Sequence, residues 1–297
     1  MIWDYFVALI FGIVEGITEW LPISSTGHMI ILNEFLKLNV SPEFYDLYLV
    51  VIQLGAIMAV IVIFWKDIWP FGTKSNEHPF SQSGFGSYVK KDKIIMWLKI
   101  ALACVPAAIV GVLFDDWLDE HLYNFYVVAI ALIVFGIAFI VVEYLMKEKK
   151  PIIKTVDQLN WGHALAIGLF QLLAAIFPGA SRSGSTIVGS IAIGIKREAA
   201  AKFTFFLAIP VMLGASLLKI LKFDGDVSGH EIGLLLVGMV TAFVVSLLII
   251  NRLMAFIRKH SFTVFGWYRI ALGILVLILG IAGVIGGNSG SAVVAAP

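Results

Sequence analysis

Glu15 and Glu19 stand four residues apart in the apolar run G-I-V-E-G-I-T-E-W-L-P, a spacing that puts both on one face of a helix. A carboxylate at membrane depth costs at least about 2.5–3.5 kcal/mol on insertion scales, and two together also repel. Such a pair needs positive charge beside it, a divalent cation or an arginine, unless both side chains lie near an interface and snorkel to water. Carboxylate oxygens are hard ligands, so the cation expected at Glu15 and Glu19 is Mg2+ or Ca2+; nothing in the sequence resembles a zinc site. The single cysteine, Cys104, lies inside an apolar run and excludes an intrachain disulfide and a thiolate metal cluster.

The second constellation is P-G-A-S-R-S-G-S-T at 178–186. The planar fork of Arg182 suits phosphate oxygens, which it can grip in pairs. Gly-containing backbone that opens a helix offers free N–H groups and a positive dipole end to the same anion. The hydroxyls of Ser181, Ser183 and Thr186 add donors. Alone, so short a patch also fits a structural arginine satisfied by a carbonyl. The third constellation is Ser24-Ser25-Thr26-Gly27-His28, in which a serine stands three residues from a histidine, a nucleophile and a proton carrier by type. A lone histidine in an apolar segment is otherwise structural. His78, His121, His163, His230 and His260 fall in loops or at span edges and receive no role. Arg269, near the start of the last apolar run, could touch the site or snorkel, and snorkelling is the expectation. Two acids, a metal position, an arginine, a histidine and a ring of hydroxyls together favour binding and attack of a phosphoanhydride. Phosphoryl transfer depends mostly on charge neutralisation and positioning.

The elements that must position these residues follow from composition. Of 297 residues, 60% are hydrophobic and 14% charged, and mean hydropathy is +0.96; a soluble domain is about half apolar and about a quarter charged. So few charges cannot cover a water-exposed surface, so most of the exterior faces lipid. The net charge of +1 says little about partners. No cleavable signal peptide is expected, because the first apolar run lacks a basic n-region and carries two glutamates. Stretches of about 20 apolar residues, enough to span a bilayer, lie at 47–65, 94–114, 125–146, 201–221, 232–250 and 265–285. Two further regions, 5–38 and 163–195, each hold a Pro followed by a small, polar, Gly-containing patch at the centre. Non-helical backbone at membrane depth persists only where protein buries it or it lines a wet cavity, so both read as re-entrant helical hairpins.

Loops 65–93, 147–154 and 251–260 are basic, whereas 115–120 is acidic without Lys or Arg. By the positive-inside rule the basic loops are cytoplasmic and the acidic one is outside. Glu15, Pro22 and Ser25 match Gln171, Pro178 and Ser181 at the same internal spacing, and Leu54-Gly55-Ala56 matches Leu213-Gly214-Ala215. The expected fold is therefore an all-α integral membrane protein with six transmembrane helices plus two re-entrant hairpins in two repeats. The first repeat is 1–146 (hairpin 5–38 plus three spans), the linker is 147–160, and the second is 161–285 (hairpin 163–195 plus three spans). The tail 286–297 is featureless and reads as a linker or an expression remnant. Three spans per half is odd, so the halves have inverted topology, a transporter-like architecture. The two tips then approach one another inside the membrane, and both termini lie outside.

The stretches E-G-I-T-E-W-L-P-I-S-S-T-G-H and F-P-G-A-S-R-S-G-S-T resemble the two signature motifs of the bacterial undecaprenyl-pyrophosphate phosphatases, the bacitracin-resistance proteins. The resemblance covers residues 1–285, including I-Q-L-G-A-I near Gln53 and A-I-P-V-M-L-G-A. It implies conversion of undecaprenyl pyrophosphate to the monophosphate carrier lipid plus inorganic phosphate, with a divalent cation, which recycles the lipid for cell-wall synthesis. The expected location is the bacterial cytoplasmic (inner) membrane, with the active site open to the outer face. By the same resemblance Glu15 and Glu19 hold the metal or assist water, Ser25 is the nucleophile, and His28 is its acid–base partner. Ser181, Arg182 and Thr186 form the pyrophosphate-binding loop, and Ser24, Thr26 and Ser183 join the substrate-binding hydroxyls. Serine, histidine and water all stay open as the attacking group. The rival reading is a lipid-phosphate transporter or flippase that uses the same residues, alone or in addition; Ser25 with His28 is the feature a carrier does not need. Undecaprenyl pyrophosphate and membrane lipid are the expected partners, nucleic acid is not, and the lipid-facing surface leaves room for a homodimer.

Overall fold

The computed structural model describes residues 2–73 and 78–285. The tail 286–297, read above as a linker or expression remnant, lies outside them. Its helices in chain order are α1 (Ile2–Thr18), α2 (Ser25–Phe35), α3 (Pro42–Ile63), the short α4 (Trp65–Ile68), α5 (Lys91–Leu122) and α6 (Phe125–Met146). They continue with α7 (Trp161–Ile176), α8 (Arg182–Ala192), α9 (Arg197–Lys222), α10 (Gly229–Ile257) and α11 (Thr263–Ile281). Six of them are long and apolar enough to cross a membrane: α3, α5 over Lys91–Phe114, α6, α9, α10 and α11. These are the six stretches that hydropathy marks out, so the fold is all-helical with six candidate spans.

Local chemistry sets the starts. Ser41 caps α3 by accepting from the Phe44 N–H at 3.2 Å, with Pro42 in the first turn. Asn124 does the same for α6 through the Val127 N–H at 3.1 Å. Ser228 and Glu231 form a capping box on α10. The acidic stretch 115–120, expected as a loop, is instead helical and belongs to the last turns of α5. It contains neither Pro nor Gly, so polarity alone had no means of breaking the helix.

Without a hydrophobic force between helices in lipid, small residues let backbones approach and dispersion holds them. A Cβ on Gly136 of α6 would lie 2.8 Å from the Gly266 carbonyl oxygen of α11, and one on Gly266 would lie 2.7 Å from that of Gly136. The closest approach joins α3 to α10, where a Cβ on Gly55 would fall 2.0 Å from the Met239 carbonyl oxygen. No rotamer relieves a clash between Cβ and backbone. Gly55→Ala is therefore expected to cost about 3 kcal/mol or more through forced separation of α3 and α10. Thermal unfolding in detergent measures it, and an unchanged midpoint would contradict this packing.

Candidate active site

Two chain breaks create the site. α1 ends at Thr18 and α2 begins after Pro22-Ile23-Ser24; α7 ends at Ile176 and α8 begins after Pro178-Gly179-Ala180-Ser181. Ser24 and Ser181 both have left-handed backbone, φ 72° and 68°, and are the only non-glycine residues with positive φ among those described. Such conformations cost about 1–3 kcal/mol each and persist only where surroundings enforce them. Each serine caps the helix it precedes: Ser24 Oγ accepts from the Gly27 N–H and Ser181 Oγ from the Gly184 N–H, at 3.5 and 3.1 Å. The caps pair Ser24, not Ser25, with Ser181, which sets Ser25 opposite Arg182. The spacing match made with Ser25 slips by one because two residues separate Pro178 from Ser181 but one separates Pro22 from Ser24.

The two breaks meet on Glu19. Arg182 Nη2 donates to Glu19 Oε1 at 2.6 Å across 163 residues of sequence, and Ser25 Oγ donates to Glu19 Oε2 at 3.1 Å. Ser183 Oγ donates to the Glu19 main-chain oxygen at 3.1 Å. Arg182 Nη1 reaches the Thr204 carbonyl of α9 at 3.0 Å. Thr186 Oγ1 bonds back to the Arg182 carbonyl at 2.8 Å and shares a hydrogen bond with the Thr204 hydroxyl at 2.9 Å. Ser181 and Ser183 hydroxyls lie 3.2 Å apart. Thr26 stands half-buried in the first turn of α2.

Glu15 and Glu19 are 2% and 7% exposed, so neither snorkels. Arginine supplies the positive charge that Glu19 needs. Glu15 lies within the influence of both Glu19 and Arg182, and its Oε1 is buried without a hydrogen-bond partner. Arg182 Nε and both amide atoms of Gln171 are likewise buried and unpartnered. Buried polar atoms of this kind are rare unless a ligand, ion or water meets them. Among the described residues no group of three or more His, Cys, Asp and Glu converges as a metal centre. Glu15 and Glu19 nevertheless fit a hard divalent cation, since one buried carboxylate oxygen stands free beside a second carboxylate.

Ser25 and His28 are near one another but not paired. His28 Nδ1 lies 2.7 Å from the Ser24 carbonyl, which can only accept, so Nδ1 carries the proton. Nε2 lies 2.8 Å from the Tyr268 hydroxyl, and the two rings stack at 5.6 Å. Both imidazole nitrogens are thus engaged, and the Ser25 hydroxyl turns to Glu19. Tyr268 was not legible in sequence, where it looks like one more interfacial aromatic.

The snorkelling expected for Arg269 is overturned. It is fully buried, with Nη1 donating to the Pro22 carbonyl at 3.3 Å and Nη2 to the Gly179 and Ala180 carbonyls at 2.9 and 2.8 Å. Helices that stop inside protein leave carbonyls without partners, and a five-donor guanidinium can satisfy carbonyls from both breaks at once. Its cation also lies 5.8 Å over the Phe135 ring. The available signal was that two buried breaks require a donor, and Arg269 was the arginine left without a role in an apolar run.

The fold and site define a multi-pass, all-helical membrane protein with a buried carboxylate–guanidinium–hydroxyl cluster where two interrupted helices meet. The chain belongs to the bacitracin resistance protein BacA family, which it matches over residues 8–275. It is 52% identical over 275 residues to an undecaprenyl-diphosphatase of Desulfitobacterium hafniense, covering 93% of this chain and 95% of that one. It is 53% identical over 268 residues to an undecaprenyl-diphosphatase of Enterococcus faecalis, covering 90% and 94%. It is 52% identical over 271 residues to undecaprenyl-diphosphatase 1 of Clostridium acetobutylicum, covering 91% and 95%.

Proposed function

We propose that this protein is an undecaprenyl-diphosphatase that hydrolyses undecaprenyl pyrophosphate to undecaprenyl phosphate and inorganic phosphate. Family membership and relatives of that name at about half identity over nearly the whole chain support the reaction. The observation that carries the site is the buried contact of Arg182, Glu19 and Ser25, which joins a phosphate-gripping cation to a carboxylate that holds a hydroxyl. The relatives bear the name of a hydrolase, and nothing here favours the carrier alternative.

In this reading Arg182 and the amides and hydroxyls opening α8 bind the terminal phosphate, with Ser181, Ser183 and Thr186 holding that turn in shape. Ser24 and Thr26 frame the facing turn. Glu19 Oε2 stands where it can take the proton of Ser25, or of a water that replaces its hydroxyl, as oxygen attacks the terminal phosphorus and the bond to the bridging oxygen breaks, so that undecaprenyl phosphate leaves. Where Ser25 attacks, water then hydrolyses the phosphoserine to free phosphate. His28 with Tyr268 forms a proton-carrying pair at the edge of the cluster. Glu15 and Glu19 would hold a divalent cation, Mg2+ or Ca2+, which neutralises pyrophosphate charge when bound. The segments 5–38 and 163–195 enter the membrane as re-entrant hairpins of two inverted halves, 1–146 and 161–285, joined by the linker 147–160. In this reading 147–160 lies on the cytoplasmic side of a bacterial inner membrane, with the site opening outward and the termini outside, an orientation that the basic loops support. The lipid-facing helices have room for a homodimer.

Phosphate release from a prenyl pyrophosphate by detergent-purified protein tests the reaction. Release is expected with Mg2+ or Ca2+, and EDTA is expected to lower it about a hundredfold or more, reversed by added cation. Full activity in EDTA would remove the cation from the proposal. No release from folded protein that still binds the lipid would remove the hydrolase.

A further inference from the structure

A second polar region lies at the far end of α8 from Arg182. The end of α6, the segment after it, the α8–α9 turn and the end of α10 line an open cavity of about 320 Å³. That falls within the roughly 300–1,000 Å³ of small-molecule sites. Ile191 in its wall follows Arg182 by nine residues on one helix, roughly 14 Å at 1.5 Å per residue, so the cavity is separate from the active-site cluster.

Its charged lining is one-sided. Lys147, Lys149, Lys196, Arg197 and Arg258 face it, against Glu198 alone. Glu198 pairs with Lys196 and, at 2.9 Å, with Arg258. Arg197 forks onto Glu143, which is 4% exposed and also accepts from the Phe262 N–H at 2.9 Å. Lys147 and Lys149 belong to none of these pairs. The α9 helix opens here after Lys196 with no side chain capping its first turn, so backbone N–H groups add to the positive field. The rim is built rather than loose: Ile152 N donates to the Gly194 carbonyl and Lys196 N to the Ile153 carbonyl, both at 2.8 Å. Met146, Pro151, Ile191, Ile195 and Ile257 supply an apolar side. Topology signals account for basic residues in these segments, but not for their convergence from three separate stretches of chain on one cavity.

We propose that this cavity binds a phosphate-bearing anion, either the headgroup of an anionic phospholipid or free phosphate. Lysine and arginine donors with helix amides match phosphate oxygens, and the apolar side suits the first carbons of a lipid.

Calorimetric titration of the full-length protein in neutral detergent tests it, with inorganic phosphate and dihexanoyl phosphatidylglycerol as separate probes. The proteins compared are wild type, the double variant Lys147→Gln/Lys149→Gln, Glu198→Gln, and Lys90→Gln/Lys91→Gln as a charge-matched control. Size-exclusion profiles verify that each is folded. The double variant is expected to weaken binding of at least one probe roughly tenfold. Glu198→Gln frees Lys196 and Arg258 and is expected to tighten the same binding, and the control to leave it unchanged. Cavity-dependent binding of the lipid probe alone identifies a headgroup site, whereas binding of phosphate identifies a site for the free anion. Binding that neither cavity variant alters, or that the control weakens equally, overturns the proposal. A phosphate signal common to all four proteins belongs to the Glu19–Arg182 cluster and, unaccompanied by a cavity-dependent component, also overturns it.

Discussion

Glu19→Gln is expected to lower phosphate release by about 10²–10⁴-fold and Arg182→Ala by about 10²–10³-fold. The first removes the carboxylate that meets both Arg182 and Ser25; glutamine keeps the shape but cannot accept a proton at neutral pH. The second removes the cation aimed at phosphate and strands Glu19 in a buried setting. Because each residue holds the other, the losses should not add: the double variant is expected to fall little below the worse single variant. Breaking a buried pair also destabilises by about 3–5 kcal/mol. Thermal midpoints must therefore accompany kcat and KM, so that a folding defect is separated from a catalytic one. Folded Glu19→Gln protein with near-native kcat would remove Glu19 from the chemistry. Additive losses would mean that the ion pair is not one functional unit.

How far the sequence reached is clear from individual residues. The span 125–146 coincides with α6, because Asn124 gives a sharp start and basic residues follow its end. By contrast 232–250 undershoots α10, which continues to Ile257. Asn251 and Arg252 lower hydropathy without breaking helical hydrogen bonding, so an apolar window stops before the helix does. The anomalous Glu15, Glu19 and Arg182 were legible because burying charge is costly and therefore needs a reason. That Glu19 and Arg182 would be mutual partners was less legible, since a cation served the glutamates equally well on paper. Ser25 and His28 show the opposite failure. Three residues along a helix bring side chains near, but hydrogen bonds follow the strongest local acceptors, here Glu19 for the serine and the Ser24 carbonyl for the histidine. Glu143 passed unnoticed inside an apolar run, and its partner Arg197 lies 54 residues away.

Arg269→Met should be the most damaging change at a residue outside the two motifs. Methionine fills much of the volume but removes donors from the Pro22, Gly179 and Ala180 carbonyls. A buried acceptor left unpaired costs about 1–3 kcal/mol. The Ala180 carbonyl keeps the Ser185 hydroxyl at 3.4 Å, so the two bare carbonyls of Pro22 and Gly179 should lower stability by roughly 2 kcal/mol or more. The loss should not be confined to stability. Pro22 belongs to the turn that carries Ser25, and Gly179 and Ala180 belong to the turn that carries Arg182. Arg269 therefore fixes the carbonyls of both turns together. A displacement of about 1 Å between reacting groups can cost 10²-fold in rate, so kcat should fall by about that factor in whatever fraction remains folded. Arg269→Lys keeps the charge but replaces a planar fork with one ammonium on a flexible stem, so it should recover part of the stability and less of the rate. Thermal unfolding and kinetics on the three proteins decide the matter. A folded Arg269→Met variant with native kcat would show that the turns hold their places without it, leaving the Glu19–Arg182 pair to align the two halves of the site alone.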